Sequence, residues 1–152
     1  MNKLLLFFCL LASTSVFSDL KSDLDNQINP LMDKVIEWRH DIHQNPELSN
    51  REYRTAKKIE AHLRSLGIKV ETKIAYTGVV GLIEGDLPGP TIALRADMDA
   101  LPVVEKTGLP FASKDKTKYL GQTVGIMHAC GHDAHVAILM GVAEFLAKNK
   151  DQ

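Results

Sequence analysis

Ser49–Ile74, SNREYRTAKKIEAHLRSLGIKVETKI, changes its hydrophobic period halfway along. Tyr53, Ala56, Ile59, Leu63 and Leu66 recur at helical spacing and make one apolar stripe. Ser49 and Glu52 precede them with the spacing of a capping box, in which hydroxyl and carboxylate each satisfy a free backbone N–H. Gly67 supplies a left-handed stop. Beyond it Ile68, Val70, Thr72 and Ile74 alternate with charged residues, the period of a half-exposed strand. A helix that passes straight into a strand predicts an α/β arrangement, with helices packed on a sheet.

Upstream, Leu31, Val35, Trp38 and Ile42 predict a helix that leaves Asp33, Lys34 and Glu37 to solvent and ends at Pro46. Downstream, the turn Tyr76-Thr77-Gly78 leads into Val79–Ile83. Pro88-Gly89-Pro90 leads into Thr91–Arg95. Both runs are short and apolar, as expected of central strands. Asp97 to about Met127 reads as one long irregular stretch, a length at which loops are usually functional or disordered. The last helix runs from Asp133 to about Lys148, with Val136, Leu139, Val142, Ala143 and Leu146 facing a core and Ile138, Met140 and Phe145 widening it. The expected fold is α/β, helices on a mixed sheet, incomplete as it stands and with an open edge through which copies could associate.

The chain has 152 residues, 18 Lys and Arg against 19 Asp and Glu, and a formal charge of -1. That balance offers no attraction for nucleic acid or an anionic membrane. An apolar content of 45% suits a globular protein. The first 18 residues fall outside this scheme: Met1-Asn2-Lys3 is a basic start, and Leu4–Ala12 is almost wholly apolar. The run is shorter than the ~20 residues of a membrane-spanning helix and has the layout of a secretory signal peptide. The expected division is 1–18 as signal and 19–152 as mature chain, secreted or periplasmic and with no membrane partner after cleavage. Cys9 leaves with the signal, so Cys130 is the only cysteine of the mature chain and cannot form an internal disulfide.

The densest chemistry is His128-Ala129-Cys130-Gly131-His132-Asp133-Ala134-His135, just ahead of the last helix. Thiolate and imidazole are favoured ligands of zinc and related ions, and Gly131 lets the backbone turn so that Cys130 and His132 reach one centre. The plainer alternative is a buried cysteine beside surface histidines. Asp133 could accept from the far nitrogen of a ligating imidazole or simply cap the helix. His128 and His135 could face the site or solvent. A second cluster, Arg95-Ala96-Asp97-Met98-Asp99, puts two acids at the end of an expected strand. Either acid could orient a metal-bound imidazole, or both could be loop residues with a salt bridge to Arg95. His40 and His43 lie near one another on the first helix, but with no acid in view they read as surface or structural histidines.

Three stretches together, His43–Ser49, Arg95–Pro102 and Met127–His135, resemble the N-acyl-amino-acid amidohydrolases. These include the hippurate hydrolases and the hydrolases of indole-acetyl amino acids, in the aminoacylase–carboxypeptidase clan. The resemblance covers nearly the whole mature chain. It implies the N-terminal part of a metallopeptidase-like catalytic domain, with Cys130 and His132 as ligands at a centre that normally holds two metals. Asp99 aligns with the acid that steadies a metal site. Asp97 falls where related peptidases carry a ligand histidine. The implied substrate is an N-acyl amino acid. The implied cofactor is a divalent ion, zinc or manganese, with cobalt admissible.

In that family the general-base glutamate, further ligands and a smaller dimerisation domain follow the helix that ends here near Lys148. The expectation is therefore a chain that binds metal poorly and does not turn over alone. Three competing readings remain: an amidohydrolase cut short, or a peptidase of the same clan; a catalytically dead secreted fragment serving as a binding module; and a small metal-binding protein in which His128 and His135 join Cys130 and His132.

Overall fold

The structure, a computed structural model, describes residues 21–151, so the expected signal segment 1–18 lies outside the described residues. Contacts divide the chain after Met32. The described part of the first unit is a polar helix, α1 (residues 21–28), followed by a 3-10 turn at Asn29–Leu31 that Pro30 opens. Lys21 and Asp25 pair at 2.6 Å along α1. No described helix is long and apolar enough to cross a membrane.

The second unit takes up α2 (Met32–Gln44) from its second residue and contains the remaining elements: α3 (Tyr53–Ser65), β1 (Lys69–Ile74), β2 (Gly78–Leu82), β3 (Lys116–Tyr119), β4 (Gln122–Gly125) and α4 (His132–Lys148). It mixes helices with two small antiparallel sheets, β1–β2 and β3–β4. Ile42, Val136 and Met140 form the centre of the core, and Trp38, Ile59, Ala96 and Met98 pack against them. Burying aliphatic side chains of this size is worth about 1.5–3 kcal/mol each.

The helix-to-strand junction forms as its sequence predicts. Gly67 takes φ 73 and donates to the Arg64 carbonyl at 3.0 Å, while Ile68 donates to Leu63 at 3.2 Å. That pair of bonds is a Schellman ending, and the accompanying apolar contact comes from buried Leu63 and Ile68. The start of α3 differs. Glu52 makes no capping bond and instead accepts the Thr77 hydroxyl at 2.6 Å. Glu47 caps in its place: its carboxylate takes the N–H groups of Arg54 and Thr55 at 3.0 and 2.8 Å and the Thr55 hydroxyl at 3.0 Å. Thr55 is therefore fully buried, and Tyr53, read as part of the apolar stripe, is exposed.

Two expected features do not form. Thr91–Arg95 makes no strand, and Ile92 and Leu94 are 77% and 57% exposed. An apolar run predicts burial only when a neighbour supplies a ladder, and no described strand lies alongside this one. β2 likewise is an edge with Val80 and Leu82 exposed, since its sheet has only two strands. Conversely, the stretch read as one long loop contains the β3–β4 hairpin, turned through Leu120 and Gly121 at φ 48 and 80. Positive φ at both central residues is the two-residue hairpin geometry that matches strand twist.

α4 spans nearly the expected residues but is rotated. Its buried side is Asp133, Val136, Ala137, Met140, Gly141 and Glu144, while Ile138 and Leu146 are exposed. Gly141 is needed because α2 approaches closely there: a Cβ would lie 2.8 Å from Val35 Cγ2. Beside it, Glu144 pairs with Lys34 at 3.0 Å and Lys148 at 2.7 Å.

Candidate metal centre

Residues 96–101 are brought to the start of α4 by two bridges. Ala100 pairs with Leu48 in parallel, its N–H meeting the Glu47 carbonyl at 2.8 Å. Leu101 exchanges bonds with Met127 at 2.9 and 3.0 Å. Asp99 thereby reaches His132, the first residue of α4. His132 Nδ1 lies 2.9 Å from the Asp99 carbonyl and 3.0 Å from its Oδ1. Both partners are acceptors, so these bonds are made with the proton on Nδ1, the neutral tautomer that leaves the lone pair on Nε2.

Gly131, at φ 82 and ψ 17, is the left-handed residue that joins Cys130 to that helix. A side chain at this position would be strained, which fixes glycine between the two expected ligands. Cys130 is an exposed free thiol. An imidazole locked by a carboxylate, two residues beyond an accessible thiol, fits a transition-metal ion in both donor type and tautomer.

The other sequence candidates separate. Asp97 forms an exposed ion pair with Arg95, at 2.6 Å from Nη2 and 3.0 Å from Nε, the salt bridge expected of a loop residue there. His135 is exposed, with its ring 5.8 Å from that of His132. His128 is 3% exposed and neither ring nitrogen has a hydrogen-bond partner among the described residues. Burial, with the fields of His43 and His132 against those of Asp133 and Asp99, pushes its pKa down to about 4, so it stays neutral at pH 7. Among the described residues no group of three or more His, Cys, Asp or Glu could hold an ion, so His128 and His135 do not complete a four-ligand set with Cys130 and His132.

Asp133 neither caps α4 nor meets His132. The N-cap is Gly131, and the Asp133 carboxylate turns inward, 1% exposed, to His43 Nδ1 at 2.9 Å and Arg39 Nε at 3.3 Å. Burial raises its pKa, but the His43 bond and the charges of His128 and His43 outweigh it and hold the carboxyl below its ordinary range. The opposite nitrogen of His43 meets Glu105 Oε1 at 3.1 Å. Glu105 also accepts the Thr107 hydroxyl and the Ser113 N–H, and these, with His43, overcome burial to lower its pKa.

Asp133, His43 and Glu105 thus form a buried hydrogen-bonded chain, with the half-exposed Arg39 at its Asp133 end, that sequence reading missed. His43 was visible, but its acids arrive from far along the chain. His40 stacks on Phe111 at 3.8 Å.

The chain is similar to known metal-binding and amide-cleaving proteins. Residues 93–152 match the model of peptidase family M20/M25/M40. Thermostable carboxypeptidase 2 of Saccharolobus solfataricus is 52% identical over 88% of this chain and 32% of its own length. N-acetyl-L-cysteine deacetylase of Bacillus subtilis is 48% identical over 82% of this chain and 28% of its own. A crystal structure of a Bacillus subtilis protein, described as a dinuclear metal binding peptidase from M20 family, superposes with a TM-score of 0.70. It shares 42% identity, over 80% of this chain and 32% of that one. The chain spans about a third of the length of these relatives.

Proposed function

We propose, from the match of residues 93–152 to peptidase family M20/M25/M40, that this chain is part of a metal-dependent hydrolase of N-acyl amino acids. The observation that carries the reading is the Asp99–His132 pair, which leaves Nε2 free to ligate beside Cys130. Cys130 and His132 would hold a divalent ion, zinc, manganese or cobalt. When bound, the ion supplies Lewis-acid polarisation of the scissile amide carbonyl. Asp99 orients the imidazole and fixes its tautomer. Two donors leave a four-coordinate ion two short, so we place the affinity of these residues alone in the weak range and expect little or no turnover from them. The acyl-amino-acid reading follows the motif Met127–His135 and the relative named as a deacetylase.

A second reading, cleavage of a C-terminal peptide bond, is favoured by the 52% identical carboxypeptidase. The two share a site and differ in substrate. Residues 1–18 support export, and a mature N-terminus near Asp19, read by mass spectrometry, would bear that out.

The test is metal content by mass spectrometry with zinc, manganese and cobalt, together with hydrolysis of an N-acetyl amino acid and of a blocked dipeptide. We expect binding that Cys130→Ala and His132→Ala each abolish. Metal retained in both variants would sink the site. Preferential cleavage of the dipeptide would favour the second reading.

A further inference from the structure

We propose that His43 is a positioning residue for the metal centre, acting through Asp133 on the backbone that presents Cys130 and His132. This rests on the proposed metal site and names a residue that the site itself does not contain. His132 is held from two sides. Its ring is fixed by Asp99. Its backbone is the first residue of α4, and the adjacent Asp133 is tied across to α2 by His43 at 2.9 Å and Arg39 at 3.3 Å.

The two ties are unequal. Arg39 makes the longer bond and its side chain is 47% exposed, whereas that of His43 is 6% exposed. His43 is itself clamped, because Glu105 holds its other nitrogen and Glu105 is held by the Ser113 N–H and the Thr107 hydroxyl. Both partners of the ring are carboxylates that can only accept, so making both bonds requires N–H on both nitrogens. The result is a hydrogen-bonded strut from the 105–113 segment through α2 to the first turn of α4. Next to Asp133 stands the Cys130-Gly131-His132 turn, whose left-handed glycine, at φ 82, has access to more backbone conformations than any other residue would. A turn with that freedom holds two ligands at a fixed separation only if its far end is anchored, and Asp133 is the anchor.

The chemistry of the two ring nitrogens gives a test that general destabilisation cannot imitate. In His43→Asn the carboxamide nitrogen reaches about as far as Nδ1 and keeps the bond to Asp133. In His43→Gln it reaches about as far as Nε2 and keeps the bond to Glu105. The full chain is titrated with cobalt(II), and the thiolate-to-cobalt absorption band, assigned by its loss in Cys130→Ala, reports ligation. Thermal unfolding of each protein is measured alongside.

Groups that support metal ligands typically alter affinity ten- to a hundredfold. We expect His43→Gln to weaken cobalt binding by about that factor, and His43→Asn to stay within a fewfold of wild type at a similar melting temperature. His43→Ala should match His43→Gln where it folds, and the Asn–Gln contrast decides if it does not. Equal affinity for Asn, Gln and wild type, or rescue by Gln rather than Asn, would overturn the proposal and leave the metal site standing. Absence of any band from the wild-type chain would remove the metal site and this inference with it.

Discussion

The contact between α2 and α4 and the ground around β2 and residues 91–95 invert the usual expectation for a small α/β unit. Between the helices, charged groups are buried: Asp133, Glu144 and His43 are each under 5% exposed, and each is paired. Around β2, apolar groups face water: Val80, Leu82, Leu87, Ile92 and Leu94 are all exposed. The difference lies in partners rather than in hydropathy. A buried carboxylate survives when hydrogen-bonded cations reach it, and an apolar strand stays exposed when nothing lies against it. Stability should therefore be concentrated in the helical contact and be nearly absent from the apolar one.

Substitutions rank accordingly. Ile42→Ala, which empties the fully buried centre of the helical contact, should cost about 2–5 kcal/mol in urea unfolding. A loss under 1 kcal/mol would show that the core lies elsewhere. Gly141→Ala pushes a methyl to 2.8 Å from Val35 and should cost about 1–3 kcal/mol. Val35→Ala should recover part of that loss in a double-mutant cycle, and strict additivity would contradict the close approach.

Glu144→Gln should cost about 1 kcal/mol at neutral pH. The Lys148 hydrogen bond, opposed by burial and aided by Lys34, holds the Glu144 carboxyl below its ordinary value of 4.5. A carboxyl lowered on folding stabilises fully above its unfolded pKa, and that stabilisation is lost as pH falls through the folded one. The gap between wild type and variant should accordingly be flat above about pH 5 and close on acidification, and a gap that widens in acid would reverse the assignment. Smallest of all, Ile92→Lys should shift stability by no more than about 0.5 kcal/mol. A loss of several times that would mean that residues 91–95 are covered in solution.

What the sequence made legible was local. Leu63, Gly67 and Ile68 determine the end of α3 among themselves, so their pattern predicts the observed bonds. That an acid of Arg95–Asp99 would meet an imidazole was also readable, because both stood in recognisable motifs, but which acid and which imidazole, Asp99 and His132, came from the fold. Features decided by distant partners were not. Leu146 and Glu144 lie on nearly opposite faces of α4, and hydropathy alone turns Leu146 inward, because the Lys34 that rewards a buried Glu144 lies on another helix. Glu47 outcompeted Ser49 and Glu52 at the start of α3 from beyond the capping-box spacing. The β3–β4 hairpin escaped because its strands are polar, although Leu120-Gly121 carries the turn signal. His43 read as structural while its two acids were out of sight, and the fold supplied both.

Glu47 has a consequence of another kind. Its carboxylate holds the first amides of α3, a few residues on, while its carbonyl holds Ala100, which arrives from the far side of β1 and β2. Short loops close faster and at lower entropic cost than long ones. The expected order of folding thus has α3 nucleating on Glu47 first, and the segment bearing Asp99 docking onto an already ordered strand of backbone. A Glu47→Ala chevron should then show most of its change in the folding arm, with a φ-value above one half, whereas Ala100→Gly should act mainly on unfolding.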